Sequence, residues 1–265
     1  MMSLSEEYKE YCENFKIVWS YLSRYSKSLD SIVKDVCEYR QYYGSEERWR
    51  KLFSETGILF VSSETCDYSK LKAHKFKDMA LFSDKGYFLL DERYILPVRD
   101  MLGNIVALVG WYPDSKKYIT TPSKFFVKDC LFFGMEQLRK TGTGKNYFLV
   151  EGIFDSLNLR TLGVNAVAQM GINSSKVKSV LYGLFRKIVA VPDNDTQGRK
   201  VLKGDLWGLP VNASYLKWTG GFELDGEIVP IKDIDRLCSL YDDDSVSAML
   251  KGCLLSNDRV IKIEI

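Results

Sequence analysis

Tyr147-Phe148-Leu149-Val150-Glu151-Gly152-Ile153-Phe154-Asp155-Ser156-Leu157 is the stretch whose reading decides the fold. Tyr147 to Val150 is a short, uninterrupted apolar run of the kind buried on both faces of a parallel sheet. Gly152 then permits a sharp turn, and Ile153 to Leu162 has helical spacing with a stop at Gly163. Further along, Ala166-Val167-Ala168 reads as a strand, Ser174 to Phe185 as a helix, and Lys187 to Val191 as a third strand. Val211 to Trp218 reads as a fourth strand. Strand, helix, strand, helix, strand implies an open parallel sheet covered by helices.

Such sheets place their chemistry beyond the carboxyl ends of the strands. Glu151 follows the first strand, Asp193-Asn194-Asp195-Thr196-Gln197-Gly198-Arg199 leaves the third, and Lys232-Asp233-Ile234-Asp235 comes after the fourth. If these loops are tight, Glu151, Asp193, Asp195, Asp233 and Asp235 converge. A cluster of that kind repels itself unless cations neutralise it. Oxygen ligands without His or Cys select Mg²⁺ or Mn²⁺, and two such ions fit phosphoryl transfer. A solitary carboxylate after a strand is ordinarily a solvated loop residue or a helix cap, so the joint pattern carries the weight. Asp242-Asp243-Asp244 is read as the opening of a last helix, where negative charge suits the dipole.

The rest of the 265-residue chain has a different texture. Residues 1–57 read as helices: Ser3 and Glu6 have capping-box spacing, and Tyr8, Tyr11, Phe15, Val18, Trp19 and Leu22 recur at helical steps. Leu29 to Cys37 forms a second apolar face with an expected stop at Gly44, and a third helix runs from Ser45 to a stop at Gly57. Residues 58–145 read as a small α+β subdomain. Its centre is a hairpin of Tyr94–Arg99 and Ile105–Val109, with Pro97 placing the first strand at an edge or a bulge. Thr141-Gly142-Thr143-Gly144-Lys145 is not a phosphate loop, because the strand follows it instead of preceding it; a mobile connector between subdomains is expected. Residues 146–237 would form the parallel-sheet domain and 238–265 a short helix and strand tail.

Composition narrows the function classes. Lys plus Arg total 37 and Asp plus Glu 35, so bulk charge is not that of a polybasic protein. The six cysteines form no CxxC pair and His74 is the single histidine, which argues against zinc and against a Ser-His triad. No apolar run reaches the length of a membrane span and no signal peptide shape opens the chain, so a cytoplasmic protein with reduced thiols and no membrane partner is expected.

Val150 to Leu157, Met170-Gly171 and Asp193 to Arg199 resemble a Toprim domain, the fold shared by bacterial-type primases, topoisomerases and several nucleases. Upstream, Arg93 to Asp100 with Gly103, then Lys117 to Pro122, then Phe126-Val127-Lys128 and Phe133-Gly134, resemble successive motifs of the DnaG-type primase core. The resemblance covers about residues 82–237 and implies synthesis of short RNA primers on single-stranded DNA from ribonucleoside triphosphates. It implies that Asp193 and Asp195, with Asp233 and Asp235, hold divalent ions. Glu151 would be a further ligand or the proton acceptor. It also implies that Arg99, Lys117, Lys128 and Arg199 contact nucleotide phosphates or template. Trp111 stands where the family generally has an arginine. Neither the family's zinc module nor its helicase is expected in this stretch. A replicative helicase, or a separate template-recognition or single-strand-binding protein, is therefore the expected partner, and the compact form resembles a phage or mobile-element core acting in a host cytoplasm. Trp111, Tyr112 and Trp218 are candidates for base stacking or for core packing. A Toprim nuclease and a non-catalytic DNA-binding replication factor are the competing readings.

Overall fold

The computed structural model describes residues 4–42, 45–74, 76, 79–113, 117–122, 126, 131–170, 180–196, 198, 200, 207–210, 213–219, 221–224 and 227–264. The chain forms two compact units, residues 1–127 and 128–265.

The first unit begins with three helices, α1 (Leu4–Ser23), α2 (Leu29–Arg40) and α3 (Glu46–Thr56). Tyr11, Phe15, Val18 and Leu22 recur at three- and four-residue steps and are all buried, which explains the helical period of α1. Ser28 caps α2 by accepting the Ser31 N–H. That helix stops at Arg40, short of the expected Gly44, because Gln41 turns into the left-handed region at φ 60° and returns its N–H to the Cys37 and Glu38 carbonyls. Gly44 and Ser3 lie outside the described residues. Gly57, at φ 86°, ends α3 as expected.

The helices share a core with a four-stranded antiparallel sheet in the order β1 (Leu59–Val61), β2 (Arg93–Arg99), β3 (Ile105–Tyr112), β4 (Lys117–Thr120), with a short α4 (Ser69–Ala73) after β1. Helix α1 packs against β1 and β3. Pro97 sits in a strand that has neighbours on both sides. It is tolerated because β1 pairs only with Arg93 to Ile95, so beyond Ile95 only β3 lies alongside. A register shift follows at Val98/Arg99. Asp100 closes the hairpin by accepting the N–H groups of Leu102 (2.9 Å) and Asn104 (2.8 Å), while Gly103 takes φ 87°.

The second unit is the parallel-sheet domain. After α5 (Gln137–Thr141) come β5 (Asn146–Val150), α6 (Ile153–Thr161), β6 (Ala166–Ala168) and β7 (Lys187–Val191). Then follow β8 (Ser214–Thr219), the hairpin β9 (Gly221–Leu224) and β10 (Glu227–Pro230), α7 (Ile234–Leu240), α8 (Asp243–Leu255) and β11 (Val260–Glu264). The five-stranded sheet runs β11-β8-β7-β5-β6, and every pairing in it is parallel. Its central strands are apolar and buried, Tyr147 to Val150 and Ile188 to Val191, while the outer strands β8 and β11 also carry Lys217, Lys262 and Glu264.

Two expectations need correction. The 141–145 loop lies within the second unit: the Gly144 N–H donates to the Leu184 carbonyl (2.9 Å) and the Arg186 N–H to that of Lys145 (2.9 Å). Residues 238–265 do not form a separate tail, because β11 pairs with β8 along five residues and extends the sheet. The helix expected from Ser174 falls largely outside the described residues, and what is described there ends in a 3₁₀ turn at Tyr182–Leu184. Asp242 does open the last helix, accepting the Ser245 N–H (2.9 Å).

Candidate active site

Strand order locates the site. The first crossover leaves β5 and lays β6 on one side of it, while the next returns to lay β7 on the other. The reversal point of a doubly wound sheet lies between those two central strands, and the crevice beyond their carboxyl ends is where ligands bind. Val150 is in register with Val191, so Glu151 and the Pro192-Asp193 turn leave the sheet side by side at that point.

Local contacts then aim the carboxylates. Gly198 folds back on Asp193 so closely that a β-carbon there would lie 1.8 Å from the Asp193 carbonyl oxygen; only glycine permits this loop. The Gly198 N–H is also bonded by an Asp195 carboxylate oxygen at 2.9 Å. The Asn194 N–H donates to the Lys232 carbonyl (2.6 Å) and its side-chain amide to the Ile231 carbonyl (3.0 Å), fastening this loop to the start of α7. Trp218, a base-stacking candidate, gives its indole N–H to the Pro192 carbonyl at 3.0 Å. Asp233 caps α7 through one oxygen, which accepts the Arg236 N–H at 2.7 Å. Its other oxygen faces Lys232, whose ammonium stands 3.8 Å from it and 3.6 Å from Asp193.

Proton affinities record the crowding. Burial, reinforced by the charges of Asp193 and Asp195, pushes the Glu151 carboxyl up to about 7, with Lys232 opposing. Burial and the neighbouring Asp233 raise Asp193 to about 6 despite the same lysine. Burial pulls the Lys232 ammonium down, yet Asp193, Asp233 and Asp195 together carry it above its ordinary value. Glu151, Asp193, Asp195 and Asp233 are therefore one electrostatic group.

Asp235 has a different setting. Its carboxylate accepts the Asn158 side-chain amide (2.9 Å), and its N–H donates to the buried Asp155 carboxylate (2.9 Å). Asp155 is the residue that sequence reasoning missed. In the chain it looks like an ordinary acid in the first turn of a helix; in the fold it ties α6, directly after Glu151-Gly152, to the 233–235 segment. Lys232, which in the sequence looks like a minor part of an acidic motif, stands within 4 Å of both Asp193 and Asp233.

The donor chemistry fits a hard divalent cation: carboxylate oxygens alone, with two acids whose proton affinity is raised first by burial and then by neighbouring carboxylates. Among the described residues, no three such side chains already enclose a cation, and Lys232 occupies the space nearest Asp193 and Asp233. A Mg²⁺ that keeps several waters and takes one or two carboxylates suits that spacing.

The predicted basic residues are placed unevenly. The Arg99 guanidinium donates to the Gly103 carbonyl of its own hairpin at 2.9 Å. Lys117 opens β4, while Lys128 and Arg199 lie outside the described residues. Trp111 is core: it is buried against Tyr39 and Tyr94, with the Arg40 guanidinium carbon 4.6 Å from its ring centroid.

Residues 148–205 match the Toprim-like family model. That span runs from β5 through the Asp193 loop. Curated DNA primases resemble the chain more broadly. The enzyme of Clostridium acetobutylicum is 28% identical over 160 residues, 58% of this chain and 26% of that protein. The enzyme of Pseudomonas putida is 28% identical over 168 residues, 60% of this chain and 22% of its own length. The matched region thus spans about a quarter of these relatives.

Solved structures show the fold. A DnaG primase catalytic domain bound to single-stranded DNA superposes with TM-score 0.67 at 19% identity, over 94% of this chain and 80% of that one. The Aquifex aeolicus primase, zinc-binding and RNA polymerase domains together, gives 0.66 at 19% identity, over 95% and 63%. The RNA polymerase domain of Mycobacterium tuberculosis DnaG gives 0.64 at 18%, over 94% and 83%. The chain has the DnaG catalytic-core fold, with a Toprim-like domain as its second unit. No described helix is long and apolar enough to cross a membrane.

Proposed function

We propose that this chain is a DNA primase core that joins ribonucleotides into short primers on single-stranded DNA. What supports the reading is the electrostatic coupling of Glu151 to Asp193 and Asp195, and of Asp193 to Asp233, beside the reversal point of a DnaG-type sheet. Asp193, Asp195 and Asp233, with Asp235 contributing once Asn158 yields, would hold Mg²⁺ or Mn²⁺. Two bound ions would supply an activated 3′-hydroxyl and charge neutralisation on the departing pyrophosphate. Glu151, titrating near 7, suits either a ligand or the acceptor of the hydroxyl proton at its carboxylate. Lys232 partly offsets the negative charge of the carboxylates before a metal ion arrives. Arg99, Lys117, Lys128 and Arg199 are assigned to nucleotide phosphates and the template backbone.

With a net charge of only +2, the chain neutralises few phosphates at once, so template binding should be weak and salt-sensitive. This supports dependence on a helicase or a separate template-recognition protein, acting in the cytoplasm. The test is incubation with labelled ribonucleoside triphosphates and mixed-sequence single-stranded DNA, with Mg²⁺ or Mn²⁺. New short RNA that disappears in Asp193→Ala supports the primase. A shortened template that likewise depends on Asp193 identifies a Toprim nuclease instead. Replication function that survives in Asp193→Ala would make the chain a non-catalytic DNA-binding factor.

A further inference from the structure

The first unit contains a cavity of about 590 Å³ that the primase reading does not use. Its size is ordinary for a ligand pocket. Five aromatic rings, those of Tyr25, Tyr39, Phe60, Tyr94 and Tyr112, line it. Tyr39 stays 55% exposed although its edge packs on Tyr94 and Trp111, so a large ring face is left to solvent at the rim.

The charges on the wall are unbalanced. Asp35, Glu64 and Glu92 line the cavity, and Lys27 is the one cation among the described lining residues. Lys27 is already engaged, 2.9 Å from Asp35 and 4.3 Å from the centroid of Phe60. Asp35 also accepts the Tyr94 hydroxyl at 2.8 Å. Glu64 and Glu92 have no cationic partner among the described residues.

Glu92 is moreover held in the left-handed region at φ 54°, unusual for a residue with a β-carbon, by its N–H bond to the Val61 carbonyl (3.0 Å). The backbone is thus constrained where it presents a carboxylate to the cavity. Strain of this sort collects at functional positions.

Aromatic faces attract cations, and a guanidinium both stacks on rings and forks onto carboxylates. Two cations of the chain already use rings of this cavity in that way: Lys27 over Phe60, and Arg93 at 5.5 Å from the Tyr112 centroid. A nucleic-acid strand would bring phosphates toward Glu64 and Glu92 and be repelled. We propose that this cavity is a docking site for an arginine side chain of a protein partner, its guanidinium stacked on the exposed Tyr39 ring and paired with Glu64 and Glu92. The site is independent of the carboxylates of the second unit.

The test is amide NMR on the full chain, following residues 25–27, 60–65 and 92–94, with N-acetyl-arginine amide, its uncharged citrulline counterpart and a 12-nucleotide single-stranded DNA as probes. Arginine amide should shift these signals with millimolar affinity, citrulline should not, and Glu64→Gln/Glu92→Gln should weaken binding roughly fivefold with an unchanged melting temperature. No response to arginine amide, an equal response to citrulline, or displacement of arginine amide by the oligonucleotide would each overturn the proposal, the last in favour of a base-binding pocket.

Discussion

The α-hydrogen side of Gly198 faces the Asp193 backbone so closely that an added methyl would fall 1.8 Å from the carbonyl oxygen and 2.8 Å from the carbonyl carbon. The obstacle is main chain, which cannot swing aside as a flexible side chain would. Gly198→Ala should therefore move the loop bearing Asp193 and Asp195. Expected outcomes are a loss of about 2–4 kcal/mol of stability and at least a roughly tenfold drop in nucleotide incorporation. Gly252, inside α8 with nothing within 4 Å of its missing β-carbon, is the control. Gly252→Ala should stabilise by about 0.5–1 kcal/mol and leave incorporation unchanged. Thermal melts and primer assays of the two variants give the comparison.

The acids of the site set a pH dependence whose sign is determined by their raised proton affinity. Glu151 titrates near 7 and Asp193 near 6 in the fold, above their ordinary 4.5 and 3.8. Between those limits the folded chain holds more protons than the unfolded chain, so their contribution falls as pH rises from about 4 to 7. In Mg²⁺-free buffer, Glu151→Gln should match wild type near pH 4 and be more stable at pH 8 by about 1–2 kcal/mol, roughly 2–8 °C in Tm. Added Mg²⁺ should stabilise wild type more at pH 8 than at pH 5. Melting curves with parallel wild-type and variant profiles would contradict the assignment.

Lys232 competes with any divalent ion for Asp193 and Asp233, since its ammonium lies within 4 Å of both. Lys232→Met should tighten Mn²⁺ binding roughly fivefold, as removal of one nearby positive charge leaves a more negative pocket. The same variant should raise the apparent pKa of Glu151 further. Calorimetric titration with Mn²⁺ reads the first effect. Weaker binding in the variant would mean that the lysine organises the carboxylates instead of blocking them.

Much of this architecture was legible because the residues that specify it act locally. Tyr147 to Val150 could be read as a buried strand from its unbroken apolar character, and Gly152 and Gly198 marked tight turns where a β-carbon would collide. The acidic loops followed from knowing where parallel sheets place their ends. What escaped was tertiary. Val260-Ile261-Lys262-Ile263-Glu264 gives no hint that its partner is β8, more than forty residues earlier. Asp155 has the sequence signature of a helix-start acid, and only the fold reveals its bond to the Asp235 N–H. Pro97 signals an edge or a bulge: a register shift follows at Val98/Arg99, and the local edge has a reason invisible in the chain, since β1 is only three residues long.

The position of β11 has a temporal consequence. In a polypeptide made from its amino end, β8 emerges from the ribosome with its outer hydrogen-bonding side unfilled, and it stays so until residues 260–264 follow. Five strands cannot assemble while one of them is still being synthesised. The second unit thus closes only once its last strand has been made, and through that interval the bare flank of β8 is the place where a nascent chain can adhere to its neighbours.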